Sequence, residues 1–367
     1  MSAPATMSDP NPNPDTAPDT VQDTTLTTPP TSARDRISRA LLARPGLPAG
    51  LGAMAVLAFF LVVAPSFRTG AGIANVLDTA SLLGIMAVGV ALLMIGDEFD
   101  LSAGVQTATA ALVAVHAAYE LGLNVWAGAG LALVAAVLIG LLNGVLRVRT
   151  GLPSFIVTLG VFFALQGLNL AVTKLLTGQV LASGVSRMDG WTSLRAVFGS
   201  TVSLGPVDVK VSVLWWIGLT ALGAWILTRT QLGNWIFAVG GDAHAARQSG
   251  VPVNSVKIGL FVGVALCAWV VGMITMARTG SVQANLGVGL EFEYIIAAVI
   301  GGCLMTGGAG SVTGAAFGAL IFGLVKQGIP AAQWDNDWYK LFLGVLLLAA
   351  TLVNEYIRRG AGGGRRT

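Results

Sequence analysis

Ten apolar segments run through this chain, at about 48–65, 72–96, 101–119, 125–146, 153–173, 211–228, 256–277, 290–304, 308–328 and 338–357. Most approach the roughly 20 residues that an α-helix needs to cross a hydrocarbon layer. No other feature narrows the fold as far, because in lipid every backbone N–H and C=O must find its partner inside the protein. Only 11% of the 367 residues are charged, against roughly 25% in soluble domains, and the mean hydropathy is +0.75. The 48 glycines suit membrane helices whose backbones approach closely. The expected fold is all-α and polytopic, with about ten transmembrane helices in the lipid bilayer. The segment at 290–304 is short and flanked by glycines, so it is expected to be broken or re-entrant.

Basic residues orient the spans. Arg34, Arg36, Arg39 and Arg44 precede the first; Arg147 and Arg149 follow the fourth; Arg229, Arg247 and Lys257 lie between the sixth and seventh; Arg358, Arg359, Arg365 and Arg366 close the chain. Ten spans place all four groups on one side, which the positive-inside rule makes cytoplasmic. Both termini then face the cytoplasm. Arg68, Arg187, Arg195 and Arg278 fall on the other side, with the longest loop, 174–210. The chain divides into a disordered tail (1–46), a membrane domain (47–359) and a short basic tail (360–367). The first 33 residues are rich in Pro, Thr, Ser and Asp and hold no material for a core; the first span is read as a retained anchor. Five plus five spans give halves of opposite orientation, as in transporters built from inverted repeats. Asp100–Gly104 and Gly310–Gly314 open small-residue helices in the two halves and hint at such a repeat.

Several functions are excluded. No lysine is followed by Ser or Thr, so there is no P-loop to hold nucleotide phosphates. With His116 and His244 the only histidines and Cys267 and Cys303 the only cysteines, both in apolar stretches, neither a metal site nor a catalytic triad is supported. The net charge of +3 serves topology rather than nucleic-acid binding. The chain is not expected to be an enzyme, nor to hold a cofactor or metal.

Four stretches carry chemistry. First, Asp97, Glu98 and Asp100 interrupt an apolar run, where each charge costs roughly 2.5–3.5 kcal/mol at membrane depth; they mark a pathway, or form a solvated turn in which Asp100 or Ser102 caps the next helix. Second, Thr158, Phe162, Gln166 and Asn169 recur at helical spacing in the fifth span, with Phe155 near its start. A ring and neutral amides on one face suit a sugar; the alternative is hydrogen bonding between helices. Third, Glu291 and Glu293 precede the short eighth span on the outer side, to cap it or to face a receptor, while Gly301, Gly302, Gly307 and Gly308 bracket a backbone break. Gly310, Gly314 and Gly318 form a ladder for tight helix packing. Fourth, the polar stretch 233–252 separates two spans. Asp242 there caps a short helix to about Gln248, Ala245 and Ala246 present a small face, Arg247 offers a charge, and Gly250 with Pro252 ends it. This is a docking element for a soluble partner, or else a plain connector.

Five motifs in order resemble the permease subunit of ribose-type and other simple-sugar ABC importers: Phe99-Asp-Leu-Ser-Ala-Gly104; Ser154-Phe-Ile-Val-Thr-Leu-Gly160; Ala238-Val-Gly-Gly-Asp242 with Ala245-Ala246 and Ser249-Gly250-Val251; Gly287 through Gly302; and Gly307 through Gly314. The resemblance covers about 50–357. It implies a separate ATPase subunit that binds ATP and Mg, an extracytoplasmic sugar-binding protein and a second permease copy. Gly241, Asp242, Ala245, Ala246, Arg247, Ser249 and Gly250 would then couple to the ATPase; Asp100, Ser102, Phe155, Thr158, Phe162, Gln166 and Asn169 would line the substrate path. The chain departs from the pattern in three places: Asp242 stands for Asn and His244 for Glu, Ser154 for Pro, and Asp97-Glu98 for Gly-Ile-like residues. A permease for branched-chain amino acids or nucleosides, a proton-coupled carrier using Asp97, Glu98 and Asp100, and an uncoupled channel or scaffold are the alternatives.

Overall fold

The computed structural model describes residues 46–205 and 207–362. The proposed tail at 1–46, all but its last residue, and most of the tail at 360–367 lie outside the described residues.

Every one of the ten apolar segments forms a helix. They are α1 (Gly46–Val63), α2 (Gly70–Ile95), α3 (Ala103–Tyr119), α4 (Val125–Thr150), α5 (Ser154–Thr177), α7 (Val211–Arg229), α10 (Val253–Thr279), α11 (Leu290–Ile300), α12 (Val312–Ala331) and α13 (Trp338–Gly362). Between them lie two polar-loop helices near one end of the bundle, α8 (Gln231–Gly241) and α9 (Ala243–Gln248), and one at the other, α6 (Trp191–Phe198). Among the described residues, seven helices are long and apolar enough to cross a membrane: α1, α2, α4, α5, α7, α10 and α12. At 17 and 11 residues, α3 and α11 are the shortest of the ten; α11 is the segment expected to be broken, whereas the one holding α3 is expected to span like its neighbours.

The long helices pack through small residues. A Cβ on Gly140 or Gly144 of α4 would come within 2.7 Å of the Cα of Val262 or Ile258 of α10, so these antiparallel helices touch backbone to backbone. On α12, Gly314 and Gly318 press on the carbonyls of Gly301 and Ala297, which accounts for the glycine ladder; Gly310 precedes the helix and sits against Ile95. The core runs along α2, α10, α3 and α12, with α2 antiparallel to both α10 and α12. Thus the second long helices of the two halves enter from opposite ends.

One end of the bundle gathers the turn 96–102, the end of α4, α8–α9, and the turn 301–311. The other end holds more ordered structure than the sequence reading assigned to its long loop. Strands β1 (Leu181–Ser183) and β4 (Ser281–Gln283) pair antiparallel, as do β2 (Thr201–Leu204) and β3 (Val207–Lys210). Phe198 of α6 stacks on Trp215 at 5.3 Å and meets Trp269 edge-on at 5.7 Å. From β4 the chain turns into the bundle, and Gly287 lies against the carbonyl of Gly104. The N-termini of α3 and α11 therefore meet inside the protein.

Candidate functional site

The polar stretch 233–252 folds as its caps predict. Asp242 Oδ1 accepts the backbone N–H groups of His244 (2.8 Å) and Ala245 (3.0 Å), satisfying donors that a helix start leaves free. These bonds hold its carboxyl below the usual carboxylate range. At the other end Gly250 takes φ 83°, and its N–H reaches Arg247 O (3.1 Å) while Val251 N–H reaches Ala246 O (3.0 Å). Gly241, Asp242, Ala245, Arg247, Ser249 and Gly250 are exposed. Ala246 is not: it is buried in the main core, so the open small face consists of Ala245 alone. Arg247 donates to Asn254 Oδ1 at 3.2 Å and otherwise faces outward.

Beneath α9, α8 rests on the membrane helices. A Cβ at Gly240 would stand 1.7 Å from Ile95 O and 2.7 Å from Gly308 N. Gly308 N–H donates to Ile95 O at 2.9 Å. Gly302, Gly307 and Gly308 all have positive φ, and Gly301 ends α11, so these four do mark a backbone break. That break lies against the α8 seat.

The next turn, 96–102, carries the carboxylates. Asp97 is exposed with φ 61°. Glu98 is fully buried, with Arg147 Nε at 2.8 Å and Lys257 Nζ on its other oxygen. It is therefore no solvated turn residue. Asp100 is also buried, and it does not cap α3 in the usual way. Its Oδ1 accepts Ser102 N–H at 2.8 Å, and its Oδ2 accepts Gln106 Nε2 at 2.9 Å. Ser102 makes no side-chain cap; its hydroxyl bonds Asp100 and accepts Asn143 Nδ2 at 2.9 Å. Thr158 belongs to the same cluster: its Oγ1 accepts Leu101 N–H at 3.1 Å and donates to Ser154 O at 2.8 Å. Ser154 Oγ accepts Phe99 N–H at 3.1 Å. Gln106, Asn143 and Ser154 carried no assigned role, although Ser102–Gln106 and Asn143–Arg147 stand four apart, the spacing that puts residues on one helix face.

The α5 face splits up. Phe155 is 53% exposed, turned away from the bundle. Phe162 packs with Val105, Val161 and Leu165, leaving no open ring for a sugar. Gln166 is half-buried. Asn169 lines a separate, largely apolar cavity of about 530 Å³ with His116 and Thr173. Glu291 and Glu293 do not precede the short span: both lie in the first turn of α11, because the helix already starts at Leu290. Glu291 is 4% exposed, accepting the N–H of Gly289 at 3.0 Å beside Gly104. Glu293 pairs with Lys326 of α12 at 3.3 Å. The inward course of 284–289 buries Glu291, while Glu293 stays partly exposed.

The family described as "branched-chain amino acid transport system / permease component" matches residues 72–351. The chain belongs to this family of permease components. The permease is 33% identical to the ribose import permease of Escherichia coli K12, over 90% of this chain and 99% of that protein. It is 29% identical to the fructose import permease of Rhizobium meliloti, over 84% of each, and 31% identical to the galactose/methyl galactoside import permease of Escherichia coli K12, over 83% of this chain and 93% of that one. No solved structure matches the chain. A permease component is a transport subunit, not a catalytic one. Its multi-pass helices place it in a membrane.

Proposed function

We propose that this permease is the membrane-spanning subunit of an ABC importer that carries a monosaccharide across the cytoplasmic membrane, with both termini, including the segments 1–46 and 360–367, in the cytoplasm. A separate ATPase subunit holds ATP and Mg and docks at α9. An extracytoplasmic sugar-binding protein delivers solute to the end that carries α6 and the strand pairs, and a second permease copy completes the membrane unit. The observation that carries the sugar reading is the near full-length similarity to ribose, fructose and galactose permeases. The docking reading is supported by α9, a capped helix with Ala245 and Arg247 exposed, seated through Gly240 on Ile95 and Gly308. A partner that displaces α9 pushes on the turn bearing Glu98 and Asp100. The roles of the α9 set and of the Asp100–Ser102–Thr158 cluster belong to this proposal.

The test is uptake by the permease reconstituted in vesicles with its ATPase and binding protein, offering labelled ribose, fructose, galactose and leucine. ATP-driven uptake of one sugar is expected. Arg247→Glu and Gly250→Pro are each expected to reduce it at least tenfold with membrane insertion unchanged; normal uptake by both would refute the docking role. Preference for leucine would favour the amino-acid reading. Uptake that survives ATP depletion and collapses with an uncoupler would identify a proton-coupled carrier.

A further inference from the structure

We propose that Glu98 and Asp78 are positioning residues for transport: they form two ionic clasps, one at each end of the antiparallel pair α2 and α10, and make that pair a single strut. The inference rests on the permease reading above and concerns how motion at α9 crosses the membrane.

The first clasp is near α9. Glu98, just past the end of α2, holds Lys257, the fifth residue of α10, and Arg147 of the last turn of α4. The second lies at the far end. Asp78 of α2 accepts from both terminal guanidinium nitrogens, Nη1 and Nη2, of Arg278, in the last turn of α10. Ser212, at the start of α7, accepts from Arg278 at 2.7 Å and donates to Asp78 at 3.1 Å. Between the clasps the helices interlock: a Cβ on Gly89 would meet Cys267 Sγ at 3.1 Å and Val264 Cα at 3.2 Å, and one on Gly96 would meet Leu260 at 2.4 Å.

Because the two helices are antiparallel and clasped at opposite ends, a slide that draws one clasp apart draws apart the other as well. Either would leave a buried or half-buried charge without its partner, which a low-dielectric interior resists. The α10 helix starts three residues after Gly250, and Val253 N–H already bonds Val251 O at 2.8 Å. A displacement of α9 thus enters α10 directly. The 27 residues of α10 reach about 40 Å at 1.5 Å per residue, ending where β4 pairs with β1. The strut moves as one body, and the pathway opens by motion of other helices around it.

The structure supplies the test. Replacing Gly89 by Cys would set its Cβ 3.4 Å from that of Cys267, close to the roughly 3.5–4.5 Å of a disulfide. The complete transporter, with ATPase and binding protein, is oxidised in vesicles in a Cys303→Ser background. The crosslinked G89C protein is expected to keep at least half of its ATP-driven uptake. Glu98→Gln and Asp78→Asn are each expected to lower uptake per ATP hydrolysed at least fivefold, and the crosslink to restore the ratio in Glu98→Gln. A crosslink that stops uptake until a reductant is added would overturn the proposal, since α2 and α10 would then part in each cycle. Should G89C fail to insert, the two clasp variants decide: an unchanged ratio in both sinks the strut. Absence of ATP-driven uptake in the unmodified complex is a different result, which refutes the permease reading itself.

Discussion

Asp242 is a single carboxylate whose job is set by two backbone N–H groups. Bonds from His244 and Ala245 lower its pKa from the ordinary 3.8. A carboxyl depressed in this way stabilises the fold above its unfolded value and loses that contribution as the pH falls through the lowered one. The cap on α9 is therefore constant between about pH 5 and pH 8 and weakens only in strong acid. Since Asn caps as well as Asp, Asp242→Asn is expected to bind the ATPase like the parent, and Asp242→Ala several-fold more weakly, in a co-purification titration; equal losses in both would assign the carboxylate a charge role instead. The residue pattern alone supports this cap, because capping is local. Glu98 is the opposite case. Its partner Lys257 is 159 residues away, and no pattern within its own turn announces that pairing.

At the scale of the element, α3 and α11 show how short helices are held in a bundle of long ones. Their N-termini meet through Gly104 and Gly287. A Cβ on Gly104 would fall 2.3 Å from Gly287 O and 2.5 Å from Glu291 Oε2. Backbone cannot withdraw as a flexible side chain does, so Gly104→Val is expected to destabilise by about 1–3 kcal/mol or more. The check is a lowered unfolding temperature in detergent together with lost uptake; an unchanged melt would show that the two helix starts are not in tight contact. The shortness of α11 was legible from its flanking glycines. Its inward position was not, and so Glu291 and Glu293 read as outward-facing. The α5 face failed for a related reason: helical spacing aligned Thr158, Phe162, Gln166 and Asn169, but different neighbours occupy that face at each height.

For the whole molecule, every long helix respects one division of ends. Arg147, Lys257 and α9 share one end; Arg278, α6 and both strand pairs share the other. If the first end is cytoplasmic, a cysteine at Ser203 in β2 is labelled by an impermeant maleimide on intact cells, and one at Ser249 only after permeabilisation. The reverse pattern would invert the topology and move the ATPase dock to the wrong side.

The sequence by itself determined the ten helices, the membrane setting, the missing nucleotide loop and the capped helix α9. Each follows from composition, run length or contacts within a few residues, and these survive whatever the rest of the chain does. Only the tertiary structure decided that Ala246 faces inward, that Thr158 supports the Asp100 turn, and that Glu98 and Asp78 clasp α10. Burial and ion pairing between distant segments depend on which helix faces which, and close approach at glycines such as Gly140, Gly144 and Gly240 sets that arrangement in three dimensions.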